Sequence, residues 1–155
     1  MDFKKEVIET GKYILLGLVL AFIINHGLGY ALDTEKPVMA VVSNSMVPEF
    51  YKGDLVVVKG VDPAKLQIGD IIVYQNPYRN IPIVHRIVDI EYHGEYLYFA
   101  TKGDHNLRTD QEFGIAPPVT EDLIKGKVVV IIPKLGWFRV ILTEFAGNAN
   151  IPVRG

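Results

Sequence analysis

Two patterns of apolar residues divide the chain. Up to about Leu32 they form one continuous run, and beyond it they come in short bursts bounded by Gly, Pro, Asn and Asp. The run YILLGLVLAFIINHGLGYAL, Tyr13 to Leu32, holds no formal charge over about 20 residues, which at about 1.5 Å per residue crosses a hydrocarbon core roughly 30 Å thick. It predicts an uncleaved transmembrane helix rather than a cleavable signal peptide or a buried core helix. The run outlasts a signal-peptide h-region, acidic residues flank it on both sides, and no small-x-small cleavage site closes it. Lys4, Lys5 and Lys12 precede the span while Asp33, Glu35 and Lys36 follow it, so the positive-inside bias puts the N-terminus in the cytoplasm. Everything after Leu32 is then expected outside. The leading MDFKKEVIETGK reads as a polar, helical lead with no assigned role, and Asn25 and His26 as residues that pack or snorkel toward the outer boundary.

Past the span the period becomes that of β structure. The expected strands are Val38–Ser43, Asp54–Val61, Asp70–Gln75, Ile83–Tyr92, Tyr96–Thr101 and Lys127–Ile132. This spacing predicts a mainly β fold, a mixed and mostly antiparallel barrel or sandwich behind an N-terminal transmembrane helix. KGDLVVV (Lys52 to Val58) and IGDIIV (Ile68 to Val73) open with the same Gly-Asp pair, read as structural: Gly makes the turn and Asp bonds nearby amides. EYHGE, Glu91 to Glu95, reads as a hairpin connection. Lys102 to Thr120 is a long polar connection, and such loops are often functional. PKLGWFRVILTEF, Pro133 to Phe145, is too short to span a bilayer; Trp137 and Phe138 suit either the membrane interface or the domain's own core. The expected organisation is a cytoplasmic segment 1–12, an anchor 13–32, an extracytoplasmic β-rich domain 33–133 and an apolar C-terminal segment 134–155.

Composition narrows the choice of chemistry. The 155 residues carry a net charge of −2 with acids and bases interspersed, so the basic stripe of a nucleic-acid binder is missing. Cysteine is absent, which excludes disulfides, a thiol nucleophile and thiolate metal sites.

What remains is hydroxyl and imidazole chemistry. Acyl transfer on an amide needs a nucleophile, a base, a group to orient that base, and donors for the oxyanion. In VVSNSMVPEFYKGD, Val41 to Asp54, Ser45 follows an apolar run and precedes Pro48, where a strand would end and turn. A lone serine there is ordinarily a polar surface residue, and without a G-x-S-x-G elbow an α/β-hydrolase site has no support. In PIVHRIV, Pro82 to Val88, strand alternation puts His85 on the face of Ile83 and Ile87, with Arg86 opposite. Taken alone it reads as a core histidine. TKGDHNLRTDQ, Thr101 to Gln111, offers two acids, Asp104 and Asp110, either of which could orient an imidazole; spacing does not choose between them. His93 and His105 with Asp104 lack the spacing of a metal site, and neither metal nor cofactor is expected.

The ordered set of SNSMVP (Ser43 to Pro48), Gly53-Asp54, Gly69-Asp70, Val84-His85-Arg86 and KGDHN (Lys102 to Asn106) with Asp110 resembles type I signal peptidases of the archaeal and endoplasmic-reticulum branch. The resemblance runs from the anchor to about Gln111. It implies a β-rich catalytic domain, Ser45 as nucleophile, His85 as base where the bacterial branch has lysine, Asp110 as the required acid, Asp104 as a supporting aspartate, and Ser43 as an oxyanion donor beside the Ser45 N–H. His105 stands where many relatives carry Asn. The chain after Pro133 matches poorly, and the second span of some relatives cannot form.

The function so implied is a membrane-anchored serine endopeptidase that removes signal peptides from pre-proteins after small residues, the substrate adding as a strand. Its partners would be signal-peptide-bearing pre-proteins, the lipid bilayer and the protein-export translocon, with no nucleic acid. The expected setting is a plasma membrane, or the endoplasmic reticulum in a eukaryote. Two rivals are a LexA-like Ser-Lys autoprotease, whose lysine would stand at His85, and a non-catalytic membrane-tethered β module. An imidazole base further predicts activity lost on acidification, whereas a lysine would demand alkaline pH.

Overall fold

The computed structural model describes residues 3–79, 81–94 and 96–141, with the side chains of Phe3 and Asn25 outside that description. The apolar run forms one helix, α1 (Phe3–Ala31), and the polar lead continues it without a break. Lys4–Ala31 is long and apolar enough to cross a membrane, and none of its most apolar stretch is buried inside the protein. Leu15, Leu16, Leu18 and Phe22 all project outward. Side chains of this kind gain about 1.5–3 kcal/mol each on leaving water, so a lipid environment suits the helix and a soluble one does not.

The helix ends in bonds from Leu32 N–H to the Leu28 carbonyl (2.9 Å) and from Thr34 N–H back to Gly29 (3.0 Å). Between them Asp33 takes φ 50°, a left-handed conformation that Asp tolerates better than most residues. The next residues are fastened to the β domain. Gly60 N–H donates to the Leu32 carbonyl (2.7 Å), and Val58 N–H to that of Pro37 (2.9 Å). The Thr34 hydroxyl donates to the Lys125 carbonyl (3.1 Å). A Cβ on Gly60 would overlap the Asp33 carbonyl oxygen, so only glycine allows this approach.

Seven strands follow: β1 (Val38–Ala40), β2 (Leu55–Lys59), β3 (Ile71–Gln75), β4 (Pro82–His93), β5 (Tyr96–Lys102), β6 (Val119–Thr120) and β7 (Ile124–Ile132). They form one sheet in the order β1-β2-β7-β3-β4-β5-β6. Each neighbouring pair is antiparallel, so the mixed pairing allowed by the sequence reading does not arise among the described residues. Two apolar clusters flank the sheet. One gathers Ile72, Tyr74, Ile87, Leu97 and Phe99, and the other Met46, Phe50, Val56, Val58, Ile71 and Val73. Consecutive residues of β3 thus serve opposite clusters, which explains why IIVY is a continuous apolar run rather than an alternating one.

β1 is shorter than Val38–Ser43 suggested. Side-chain acceptors take over where the ladder stops: Asn44 Oδ1 receives the Lys52 N–H (2.9 Å), and Asp54 Oδ2 that of Tyr51 (2.8 Å). At the other end of the chain residues 137–141 are helical. Val140 is buried while Phe138 is 77% exposed. A Cβ on Gly53 would overlap the Trp137 indole, which lies directly on it. Of the apolar segment 134–155, residues 142–155 lie outside the described residues, as do the Asn25 side chain and Glu95 of the hairpin connection.

Candidate active site

Ser45 is held by its neighbours. Met46 and Phe50 are buried in the second cluster, and the segment between them closes on itself through Val47 N–H to the Asn44 carbonyl and Phe50 N–H to that of Met46 (both 3.3 Å). The Ser45 carbonyl also accepts the His105 N–H (2.9 Å), which ties this loop to the turn after β5. Gly103 lies at that junction. A Cβ there would stand 2.6 Å from the Ser45 carbonyl oxygen, 2.8 Å from Asn106 Nδ2 and 3.0 Å from His85 Nε2. Real side chains do not approach so closely, so the turn needs glycine here.

His85 lies on β4 opposite Ile72 of β3. It is 5% exposed, with Ser45 Oγ at 3.0 Å from Nε2 and Asp110 Oδ2 at 2.7 Å from Nδ1. Asp110 belongs to the loop after β5 but is fully buried. Its N–H donates to the Thr101 carbonyl (2.8 Å), and its own carbonyl receives the N–H groups of Ile115 (2.8 Å) and Ala116 (3.3 Å). Oδ2 also accepts the hydroxyls of Thr101 (2.6 Å) and Tyr74 (2.9 Å), whereas Oδ1 is buried with no partner among the described residues. An ionised carboxylate only accepts, so Nδ1 carries the ring proton and Nε2 is left to accept from Ser45. Burial raises the Tyr74 phenol far above its ordinary range and the Asp110 carboxylate adds to this. Tyr74 therefore stays a donor.

Asp104 is elsewhere. Arg86 grips it bidentately, Nε to Oδ1 at 2.9 Å and Nη2 to Oδ2 at 2.7 Å. The same guanidinium reaches the Gly69 carbonyl (2.9 Å) and Glu49 (3.1 Å). The hydrogen bond to Asp104 comes first among the causes that raise the Arg86 pKa, burial opposing it. Arg86 thus joins the Ser45 loop, the turn before β3 and the turn after β5. Ser43 is exposed, its Oγ 3.1 Å from Ser45 Oγ. His105 contributes its backbone, while His93 pairs with Glu91 (2.9 Å) and meets Tyr98 edge-on.

The structure therefore brings Ser45, His85 and Asp110 into one hydrogen-bonded line with Ser43 beside it, and keeps Asp104 out of that line. The sequence reading gave no site role to Tyr74, Thr101 or Gly103. Each looks like ordinary strand or turn material, and only the adjacency of Thr101 to the KGDHN turn hinted otherwise. The arrangement sets a hydroxyl against an imidazole with a buried carboxylate behind it, a set chemically able to perform acyl transfer.

No protein-family model matches the chain. Its relatives are informative. The signal peptidase complex catalytic subunit sec11 of Pyrenophora teres f. teres is 40% identical over 136 residues, covering 83% of this chain and 76% of that protein. The chain belongs to the signal peptidase family. Its counterpart in Neurospora crassa is 37% identical over 134 residues (83% and 77% of the two chains), and that of Scheffersomyces stipitis 34% over 129 (80% and 76%). A signal peptidase of the endoplasmic-reticulum and archaeal type accounts for both parts of the molecule, the apolar helix and the antiparallel sheet.

Proposed function

We propose that Ser45 is the nucleophile of this signal peptidase, His85 its general base and Asp110 the group that orients the base. The enzyme is a membrane-anchored serine endopeptidase that removes signal peptides from pre-proteins. The observation that carries the assignment is the line Ser45 Oγ, His85 Nε2, His85 Nδ1, Asp110 Oδ2, with spacings of 3.0 and 2.7 Å across its two hydrogen bonds. Ser45 attacks the scissile carbonyl as His85 takes its proton. His85 then gives that proton to the leaving amine, and a water repeats the cycle to release the acyl group. The Ser45 N–H and the Ser43 hydroxyl serve as oxyanion donors, the latter by rotating away from Ser45 Oγ. Asp104, held by Arg86, fixes the turn whose His105 N–H supports the Ser45 carbonyl.

The substrate adds as an extended strand, with small side chains before the scissile bond. The domain organisation that goes with this is an anchor over 13–32, a cytoplasmic lead 1–12, an outer catalytic domain 33–133 and an apolar segment 134–155. The lysines ahead of the span favour that orientation. An extracytoplasmic site meets the cleavage region where it leaves the bilayer, close to the translocon. The relatives are named as catalytic subunits of a complex, which also disfavours a non-catalytic tether and a LexA-like repressor. Ser45→Ala in the purified full chain is expected to abolish cleavage of a model pre-protein with the melting temperature unchanged. Persistent processing by that variant overturns the assignment.

A further inference from the structure

Three neighbouring strands converge on one carboxylate oxygen. His85 comes from β4, Tyr74 from β3 on one side of it and Thr101 from β5 on the other, and all three donate to Asp110 Oδ2. Tyr74 and Thr101 are both fully buried, so neither hydroxyl can turn to solvent for a partner. Thr101 Oγ1 also lies 3.4 Å from the Tyr74 oxygen, but its single proton goes to the much closer carboxylate at 2.6 Å.

We propose that Tyr74 and Thr101 are positioning residues of the peptidase, acting through Asp110; the proposal rests on the Ser45–His85–Asp110 assignment. A buried carboxylate needs donors to remain ionised. A lysine or arginine would supply them but would also cancel the negative charge that the imidazolium requires during acyl transfer. Two neutral hydroxyls fix the carboxylate without cancelling it. The cation nearest in sequence to His85 is committed elsewhere: Arg86 bonds Asp104, Glu49 and the Gly69 carbonyl. The titratable side chains hydrogen-bonded to the Asp110 carboxylate are His85 from β4 and Tyr74 from β3, while Thr101 from β5 does not titrate. Each hydroxyl also draws electron density from Oδ2. When one is removed, the carboxylate holds the imidazolium more tightly and is aligned less well.

The test uses the full chain in detergent and a peptide spanning a signal-peptide cleavage site. Tyr74→Phe and Thr101→Val should each lower kcat about tenfold with KM unchanged, the scale of one hydrogen bond to a charged group. The acidic limb of the pH–rate profile should move to higher pH, because a base held as imidazolium is lost to catalysis sooner on acidification. Thr101→Ser, which keeps the hydroxyl, should restore both. In an Asp110→Asn background neither substitution should cost anything further. A melting temperature lowered with an unmoved acidic limb, or a Tyr74→Phe penalty that persists in Asp110→Asn, overturns the positioning role and leaves the nucleophile and base untouched. Full activity in Asp110→Asn alone overturns the underlying assignment, and the proposal with it.

Discussion

Asp110→Asn and Asp104→Asn, a few positions apart in one loop, are expected to fail differently. An amide at 110 can present its NH₂ to Nδ1 and reverse the tautomer, so kcat should drop by about 10⁴ with the fold kept, read as turnover of a cleavage-site peptide. At 104 the amide keeps one hydrogen bond to Arg86 and loses the ion pair. The expected outcome is a lowered melting temperature and a much smaller loss of turnover, measured on the same preparations. Sequence could single out both acids but not separate them. Which carboxylate folds back under β4 depends on Asp110 N–H meeting the Thr101 carbonyl and on Ile115 and Ala116 closing over it, contacts that spacing along a loop does not encode. Ser45 and His85, read singly as a surface serine and a core histidine, stood out only through the ordered set of motifs around them. One followed an apolar run before a proline, and the other fell on the apolar parity of a strand.

Among the elements, the turn after β5 and the segment after β1 behave as one part. Gly103 is where they touch, and Gly103→Ala pushes a methyl into the Ser45 carbonyl, Asn106 and His85 together. With Ser45 and His85 acting as proposed, a displacement of even an ångström between them can cost about 10²-fold, so this variant should keep its sheet by circular dichroism and lose turnover on that scale. The strands themselves were largely visible as branched apolar runs, with ends misjudged where the backbone changes partner. β1 stops at Ala40 because Val41 pairs irregularly with both Asp54 and Gly53, and beyond it the Asn44 and Asp54 side chains take the Lys52 and Tyr51 amides. β7 begins at Ile124, earlier than Lys127, through a register shift at Gly126 opposite Val73. Two-residue β6 offered too short a pattern to find. The long loop concealed its importance because the side chain it buries beside His85 is an aspartate, and burial of an acid is the opposite of what its polarity suggests.

At the scale of the molecule the division into a lipid-suited helix and a β domain follows from the change of period near Leu32. What the periodicity could not convey is how firmly the two are joined. The Leu32 carbonyl, the Asp33 backbone and the Thr34 hydroxyl are each held against Gly60 or β7. Gly60→Val drives a side chain through that contact. The expected result is unchanged cleavage of a short peptide in detergent, but a broadened choice of cut position in pre-proteins embedded in vesicles, read by mass spectrometry of the released products. An unaltered cut position in vesicles would show that this junction does not govern site choice. A nucleophile at the end of a slack leash would sample many heights above the lipid. With Ser45 acting outside the membrane as proposed, one mounted on a stiff post would sample few, and the length of chain that emerges from the bilayer before it is severed would be a dimension of the protein itself, set in part by one residue with no side chain.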